Sequence, residues 1–351
     1  MRRILGLAAV AAALLAGNIS AQAQIEEKKF NVIGTWNFIN NWKKIEAPYW
    51  NEQIGKNTGG KITANIKSIT EVNLKGTEIL RLLKTGVYDI AAALPIYVDD
   101  GGAIIEASDL SGVAQSIPMQ KEILALWLPE MQKVMKERYN AQIMATFAYP
   151  QQTFFCRDEI SSIADLKGKK IRVQGVSQSD LAKALGASTV TIPFGEVVPA
   201  LEKGVVDCGF TGTMPGYQAK WTEVTKSIIT LPLGYTAAFW AVNLNTWNKL
   251  NKDTQAAMTA EFKKLEDMSW AIVNAESDEG IACLTGVGGP CSVGPAAKLK
   301  LVKPSEADVA ARTKALNESV LPEWAKRCGP ECAAKWTETV GKKFGLVAKA
   351  N

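Results

Sequence analysis

One residue in the sequence has the chemistry and the setting of a ligand anchor. Arg172 stands inside the apolar strand pattern of residues 170–173, within the segment DLKGKKIRVQG at 165–175. A guanidinium presents a planar fork of N–H donors that matches a carboxylate, and such a pair is worth more away from water. Arg172 therefore either pairs with an internal carboxylate or points into a cleft to receive an anion. The residue pattern leaves both alternatives open.

The sequence contains no histidine. This excludes a Ser-His-Asp triad, a Cys-His pair and a zinc site with histidine ligands. Two-carboxylate hydrolases and lyases need no histidine, so an envelope enzyme is an alternative. However, no paired acids converge on one loop, and the sequence has no G-x-G-x-x-G, P-loop or nucleophile elbow. We therefore expect a protein that is not an enzyme and has neither a cofactor nor a metal site.

The N-terminus predicts export. Arg2 and Arg3 precede an apolar run over 4–16, and Ala-Gln-Ala at 21–23 has the form of a cleavage site. The run is shorter than the roughly 20 apolar residues that a membrane-spanning helix needs. We therefore expect a signal peptide over 1–23 and a periplasmic mature protein. Its removal takes away two arginines and no acids, so the net charge falls from +5 to +3. Nucleic acid is not an expected partner of such a chain.

Six cysteines accompany the export signal, and oxidising compartments favour disulfides. One pair flanks a glycine-rich loop, and a second pair flanks Gly-Pro-Glu, where three intervening residues do not match a redox C-x-x-C. The two cysteines that remain would form the third pair. The pairings that this reasoning favours are Cys283–Cys291, Cys328–Cys332 and Cys156–Cys208. Six cysteines allow fifteen pairings, so the sequence alone does not establish the connectivity.

The elements that must position these residues show a weak internal repeat. The chain of 351 residues has room for about two domains. EILRLLKTGVYD at 78–89 and EVVPALEKGVVD at 196–207 each predict a helix, a glycine and then a strand. Gly86 and Gly204 suit the left-handed position after a helix. Two copies predict two similar α/β lobes rather than a solenoid.

Strand and helix patterns alternate along the rest of the chain. Residues 119–137 predict an amphipathic helix, and a long charged helix without proline or glycine runs from 251 to about 277. Such alternation predicts mostly parallel sheets that are covered on both faces. In these sheets a ligand binds beyond the carboxyl ends of the strands or between the domains. The predicted strands are 29–33, 62–66, 142–147, 153–156, 170–173, 189–192 and 237–243.

The order of these motifs resembles that of the periplasmic solute-binding proteins of TRAP transporters, the dicarboxylate-binding P-subunit family. The resemblance rests on DLKGKKIRV at 165–173, PFGEV at 193–197 and GVVD at 204–207, and it covers essentially the whole mature chain. It implies an α/β, two-lobe periplasmic binding protein fold of type II-like form, with crossing hinge strands and the long helix. Lobe one would comprise 24–149 plus 236–277, and lobe two 150–235 plus 278–351.

The same resemblance implies a function. We expect a monomeric extracytoplasmic receptor that closes on a small organic carboxylate and delivers it to the membrane permease subunits of a TRAP transporter. The two-lobe design also occurs in receptors of ABC-type transporters and sensor kinases, which are the alternative. The long helix and the K-I-R-V motif favour the TRAP type.

The family's carboxylate anchor carries over to Arg172, but two neighbouring positions depart from the family pattern. Gln152 stands near the place of a second pocket arginine, and Thr211, beside Phe210, stands where the family has an asparagine. Both changes make the pocket less cationic and less polar. They predict a ligand with one carboxylate and a sizeable apolar or hydroxylated remainder. Further cleft candidates at the ends of strands, each with an alternative place in the hydrophobic core, are Trp36, Asn37, Pro95 and Trp240.

Overall fold

A computed structural model describes residues 24–98 and 102–350 of the chain. The expected signal peptide, 1–23, lies outside the described residues. In the part of the chain that the structure describes, no helix has the length and apolar character needed to span a membrane.

The strands form two sheets that share one long strand. β1 (Lys28–Gly34), β2 (Ile62–Ser68), β3 (Ile90–Ala93), β4 (Ala141–Cys156), β5 (Lys170–Val173), β6 (Ser188–Thr191), β7 (Cys208–Gly212), β8 (Ser227–Ile229), β9 (Tyr235–Asn243) and β10 (Lys300–Val302) follow in chain order. The first sheet has the order β2-β1-β3-β9-β4, and the second continues as β4-β7-β5-β6, with β8 on β4 and β10 on β8. We call the first sheet and its helices lobe one, and the second sheet and its helices lobe two.

The shared strand β4 changes partner near Pro150. Up to Gln151 it pairs with β9, with a register shift between Ala148 and Gln151, and from Gln152 onward it pairs with β7. Proline has no backbone N–H and interrupts a ladder of hydrogen bonds, which accounts for the change at this point. β9 is antiparallel to both of its neighbours, β3 and β4. The sheets are therefore mixed, because the strands that cross between the lobes run against the parallel strands of each lobe.

Helices cover both sheets. They are α1 (Ile54–Asn57), α2 (Ile79–Lys84), α3 (Gly102–Glu106), α4 (Ile117–Tyr139), α5 (Val176–Ala184), α6 (Val197–Glu202), α7 (Thr213–Gln218), α8 (Leu244–Lys249), α9 (Lys252–Thr285), α10 (Glu306–Ala315), α11 (Leu321–Cys328), α12 (Pro330–Trp336) and α13 (Lys342–Phe344). Short π turns cover Asn41–Glu46, Tyr49–Gln53, Leu316–Val320 and Thr337–Gly341, and short 3₁₀ turns cover Pro95–Tyr97, Ile163–Leu166, Phe194–Glu196 and Trp221–Glu223.

The internal repeat has the same architecture in both lobes. α2 and α6 each end before a left-handed glycine, Gly86 at φ 75° and Gly204 at φ 69°, and β3 or β7 follows. The Oδ2 atom of Asp89 accepts from the backbone N–H of Asn31 at 2.8 Å, and that of Asp207 accepts from Lys170 at 2.7 Å. Each aspartate thus joins its own strand to the neighbouring parallel strand. The repeat is confirmed as a structural unit.

The long helix α9 extends past the predicted lobe boundary at 277. The side chain of Asn251 caps its start by accepting from the N–H of Thr254, and Gly286 ends it in the left-handed conformation. The helix packs on β4 and on α7. Gly280 allows the close approach to α7, since a Cβ there would lie 2.6 Å from the backbone nitrogen of Met214. One rigid element therefore contacts both lobes.

The C-terminal helices contact both lobes. β10 pairs with β8 in lobe two, as expected for 278–351. The indole N–H of Trp324, however, donates to the carbonyl of Ala103 at 2.7 Å, and that of Trp336 donates to Ala107 at 3.2 Å. Residues 321–344 thus also contact α3 and α4, which pack with lobe one, while Arg327 pairs with Asp180 of lobe two at 2.8 Å. The assignment of the whole tail to lobe two stays a prediction. The ring centres of these two tryptophans are 5.5 Å apart, and both side chains are fully buried.

Three disulfides are present, and they are the three pairs that the spacing favoured. Cys156–Cys208 joins β4 to β7 within lobe two, where the two residues are directly opposite in the antiparallel ladder. Cys283–Cys291 closes the loop after α9, and Cys328–Cys332 closes the corner between α11 and α12. None of the six cysteines is free.

Candidate binding site

A small cavity lies where the two lobes meet. Its volume is about 20 Å³. Strand ends supply most of the wall, because the carboxyl ends of β1, β3, β5 and β7 all face this junction. The residues that line it are Trp36, Ile39, Leu94 and Tyr97 from lobe one, Tyr149 and Thr236 from the crossing strands, and Gln152, Gln174, Phe194, Thr211, Gly212 and Pro215 from lobe two.

Arg172 lies behind this wall and is fully buried. Its Nε donates to the carbonyl of Ile192 and its Nη1 to the carbonyl of Phe210, both at 2.8 Å. The guanidinium carbon is 5.9 Å from the ring centre of Phe194 and 5.6 Å from that of Trp221. Two backbone carbonyls and two aromatic faces therefore fix the side chain.

The third nitrogen of this guanidinium, Nη2, is buried and makes no hydrogen bond within the described residues. Among the described residues, the partners of Arg172 are the two carbonyls, the two rings and the neighbouring Tyr97, and none of them is a carboxylate. Burial lowers the pKa of Arg172 to about 10, so the side chain remains a cation at neutral pH. Of the two alternatives that the sequence left open, pairing with an internal carboxylate is absent from this part of the chain.

Tyr97 connects the cation to the cavity. Its hydroxyl is buried, and no hydrogen bond of ordinary geometry joins it to Arg172. The two groups are nevertheless close enough to affect each other: burial raises the pKa of Tyr97, and the positive charge of Arg172 opposes that rise. Because Tyr97 lines the cavity, the unsatisfied Nη2 lies one side chain away from a ligand there. A guanidinium N–H and a phenol O–H can together bind one carboxylate.

On the lobe-one side a buried carboxylate stands behind the wall. Glu46, on the π turn Asn41–Glu46, accepts from the backbone N–H of Thr35 at 2.7 Å, from the Thr35 hydroxyl at 2.8 Å and from the Asn41 amide at 2.5 Å. Burial raises the pKa of Glu46 to about 7, and the hydrogen bonds from Thr35 and Asn41 oppose that rise. These bonds hold the turn that carries Trp36 into the cavity.

The lobes touch each other around this cavity. Trp36 of lobe one packs edge-on against Phe194 of lobe two, with ring centres 5.2 Å apart. Lys75 Nζ lies 2.7 Å from Glu196 Oε1 across the same junction. The structure is therefore a closed arrangement, in which the aromatic side chains of the two lobes meet.

The structure brings three of the sequence-predicted residues, Trp36, Gln152 and Thr211, to the cavity wall. Gln152 accepts a long hydrogen bond of 3.5 Å from the Gln174 amide beside it. Arg172 stands directly behind the wall, as described above. Asn37 lies half-buried in the turn after Trp36 and does not line the cavity.

Three further predicted residues lie elsewhere. The ring of Phe210 stacks in the core of lobe two, 4.7 Å from that of Phe154, and only its carbonyl serves the site by accepting from Arg172. Pro95 is buried at the start of its 3₁₀ turn, outside the lining residues. Trp240 lies in the core of lobe one, 5.6 Å from Trp50, so the prediction of a cleft wall there is wrong. Its strand position points it toward the covering helices rather than toward the junction.

The sequence reasoning missed several residues of the wall. Gln174 follows Arg172 by two residues and shares its strand face, a signal that strand alternation could have supplied. Phe194 belongs to the PFGEV motif, and Tyr97 follows Leu94-Pro95 by two residues. Tyr149 immediately precedes Pro150, where β4 crosses between the lobes. No sequence signal connects Glu46 to Thr35, because their contact depends on how the π turn folds back.

The chain matches the family model for "Bacterial extracellular solute-binding protein, family 7" over residues 35–298. It is also 24% identical over 277 residues to a monocarboxylate 2-oxoacid-binding periplasmic protein of a Nostoc species, and the match covers 72% of each chain.

Solved structures show the same fold. An extracytoplasmic solute receptor of Bordetella pertussis that binds pyroglutamic acid superposes with a TM-score of 0.78 at 17% identity, covering 89% of this chain and 98% of the other. A TRAP periplasmic solute-binding protein of Desulfovibrio salexigens with bound orotic acid gives 0.78 at 16% identity, covering 90% and 98%. The architecture described above is therefore the two-lobe α/β fold of such receptors.

Proposed function

The chain belongs to family 7 of the bacterial extracellular solute-binding proteins, and from this premise we propose that it captures a small organic monocarboxylate between its lobes and delivers it to a TRAP-type, ion-coupled permease. It is a solute receptor of the kind that serves TRAP transporters, and the members of its family and its structural neighbours are receptors rather than enzymes.

The observation that carries the proposal is the buried, unpaired charge of Arg172. A buried cation without a counter-ion is costly, and here backbone carbonyls satisfy only part of the guanidinium. A ligand carboxylate would complete it, by accepting from Nη2 and from the Tyr97 hydroxyl once the Tyr97 side chain turns aside to admit it. The binding energy is then concentrated in one anion site that water does not reach.

The neutrality of the wall limits the ligand to one carboxylate. None of the twelve lining residues carries a formal charge. A second carboxylate would be desolvated without a partner, and so would an ammonium group. The relatives bind ligands of this kind, since the Nostoc protein is named for monocarboxylate 2-oxoacids and pyroglutamic acid has a single carboxyl group.

Capture requires the lobes to part and close again. A volume of about 20 Å³ is room for little more than a water molecule, so the closed wall must open to admit a carboxylate. Arg172 belongs to lobe two, and Trp36 and Tyr97 belong to lobe one. Only the closed state lets a ligand touch both sides, so ligand shifts the population toward closure. The expected signal peptide and the disulfides support a periplasmic site of action.

The test is thermal unfolding of refolded, ligand-stripped protein against a panel of small mono- and dicarboxylates, amino acids and sugars. A ligand of the native state stabilises it by about 2.7 kcal/mol at a hundredfold excess over its dissociation constant. We expect monocarboxylates to raise Tm and Arg172→Ala to lose that shift. Arg81→Ala, which removes a surface arginine, is the control and should keep it. A shift with sugars or amino acids, but with no carboxylate that lacks an ammonium group, would overturn the proposal.

A further inference from the structure

We propose that Tyr149 binds a second group of the ligand in the cavity and that this group is a hydrogen-bond donor. The receptor would then prefer a hydroxy acid, or an acid with a ring N–H, over the oxo acid of the same skeleton. This rests on the proposed function, because it presupposes a carboxylate held by Arg172.

The chain of hydrogen bonds starts at the carboxylate of Glu46, which can only accept. Ionised Glu46 has no proton to give, and it accepts from the backbone N–H and from the hydroxyl of Thr35 and from the amide of Asn41. Packing prevents its carboxylate from turning away. A Cβ on Gly34 would lie 2.8 Å from Cζ3 of Trp42 and closer still to Oε2 of Glu46, so the backbone closes directly over the carboxylate.

The Thr35 hydroxyl is therefore committed in one direction. Its single proton is donated to Glu46 Oε1, which leaves only lone pairs for any other neighbour. Thr35 is 1% exposed, so water does not supply that neighbour from outside. Any further group that forms a hydrogen bond with Thr35 Oγ1 must therefore be the donor.

Tyr149 is the neighbour that can do so. Its hydroxyl is buried, lies beside Thr35, lines the cavity and makes no hydrogen bond of ordinary geometry within the described residues. Donation from Tyr149 to Thr35 would give the tyrosine proton an acceptor and would give Thr35 Oγ1 a donor. The tyrosine oxygen then presents only lone pairs to the cavity, and these accept from a ligand hydroxyl or N–H.

The surrounding charge favours the same direction. Burial raises the pKa of Tyr149, and the nearby buried carboxylates of Glu46 and Glu276 raise it further, as does Tyr97, whereas the Thr35 hydroxyl opposes the rise. Glu276 is bound separately, by the amide of Asn40 at 2.5 Å. Negative potential at Tyr149 attracts the proton of a ligand O–H or N–H and repels a carbonyl oxygen.

The experiment measures affinities for matched hydroxy and oxo acids by titration calorimetry at pH 8, where Glu46 is ionised. The pairs are lactate with pyruvate and 3-hydroxybutyrate with acetoacetate. If the Tm panel identifies another ligand, that ligand is compared with its analogue in which the donor proton is replaced by methyl or removed by oxidation. We expect the donor-bearing member to bind about tenfold more tightly, as a single buried hydrogen bond left unmade would cost.

Two variants separate this account from a merely structural role. Tyr149→Phe should bring the ratio of the two affinities close to one. Glu46→Gln should reverse the preference. Its amide oxygen can keep the Thr35 backbone N–H, and its NH2 group can stand in the place of Oε1 and donate both to Thr35 and to the oxygen of an Asn41 amide that has turned over. This frees the threonine proton for Tyr149 and the tyrosine proton for an oxo group. Glu276→Gln removes a nearby charge without touching Thr35, and as the matched control it should reduce the hydroxy preference without reversing it.

Equal affinities in the unsubstituted protein, or tighter binding of the oxo acid, would overturn the inference while leaving the carboxylate receptor in place. A hydroxy preference that Tyr149→Phe and Glu46→Gln both leave unchanged would overturn it as well. If Glu46→Gln does not fold, Thr35→Val tests the same link, since it breaks the chain and should remove the preference. Failure of every carboxylate to bind would instead overturn the proposed function.

Discussion

Each lobe keeps one buried charge behind the wall of the cavity, but the two charges are held in different ways. Arg172 in lobe two is fixed by two backbone carbonyls and two rings. Glu46 in lobe one is held by the hydroxyl and N–H of Thr35 and the amide of Asn41. Burial lowers the pKa of Arg172 to about 10 and raises that of Glu46 to about 7. At neutral pH the cation is therefore permanent, whereas the carboxylate titrates. A permanent charge suits an anchor, and a directional hydrogen-bond chain suits discrimination.

The largest effect is expected from a substitution that keeps the positive charge of lobe two but removes the planar geometry of the guanidinium. In Arg172→Lys an ammonium replaces the planar fork, so the two carbonyls and the ligand carboxylate can no longer be bound together. We expect carboxylate affinity to fall about 100-fold, or about 2.7 kcal/mol, by calorimetry. Arg81→Lys, at an exposed position, is the matched control. Affinity within about threefold of the original would show that charge alone anchors the ligand.

The second prediction isolates the charge of lobe one. The pKa of Glu46 is raised in the folded protein, so folding takes up a proton there. The stability that this contributes is fully present below the ordinary pKa of about 4.5 and is lost as pH rises through about 7. Between pH 5 and pH 8 the loss amounts to about 2 kcal/mol. Glu46→Gln removes this dependence, so the free energy of unfolding of the original protein, relative to the variant, should fall by that amount across the range.

Urea unfolding at several pH values measures this difference. Glu52→Gln, on an exposed side chain, serves as the control for loss of a carboxyl group. A difference between the original protein and Glu46→Gln that does not change with pH would mean that Glu46 stays ionised throughout. The contrast between a permanent and a titrating charge would then be lost.

The two buried charges, Arg172 in lobe two and Glu46 in lobe one, could not be predicted equally well from the sequence. Arg172 was predictable because it interrupts an apolar strand within a long ordered motif, and the repeat around Gly86 and Gly204 indicated the two lobes. The carboxylate end was not, because Glu46 and Thr35 meet only when the π turn folds back on the end of β1. A local pattern carries no information on such a contact.

The direction of side chains at strand ends was the second feature that the sequence did not predict. Trp240 and Phe210 sit at the expected strands, yet their rings face the cores of lobes one and two. Alternation along a strand gives two faces but does not say which of them meets the junction. That choice depends on which helices cover the sheet, and residues 321–344 show that distant segments take part in covering it.

The last prediction concerns closure, which brings the two charged ends onto one ligand. Gly175 follows β5 in lobe two and meets Ile96 of lobe one, where a Cβ would lie 2.8 Å from the Ile96 carbonyl oxygen and closer still to Cγ1. Its φ of −162° is extended and accepts any residue, so Gly175→Ala introduces a contact without backbone strain. The closed state must then open slightly, and we expect ligand affinity to fall about tenfold, or about 1.4 kcal/mol.

Gly195→Ala is the matched control, since a Cβ there would meet no atom within 4 Å, although the residue lies beside Phe194 on the same lobe. Calorimetry with the best carboxylate of the panel measures both variants. An intermediate result is informative about the comparison itself. If Gly175→Ala weakens all carboxylates equally, closure serves the anchor alone. If it weakens hydroxy acids more than oxo acids, the contact with Tyr149 forms only when the lobes are fully closed, and discrimination depends on a state that the anchor does not need.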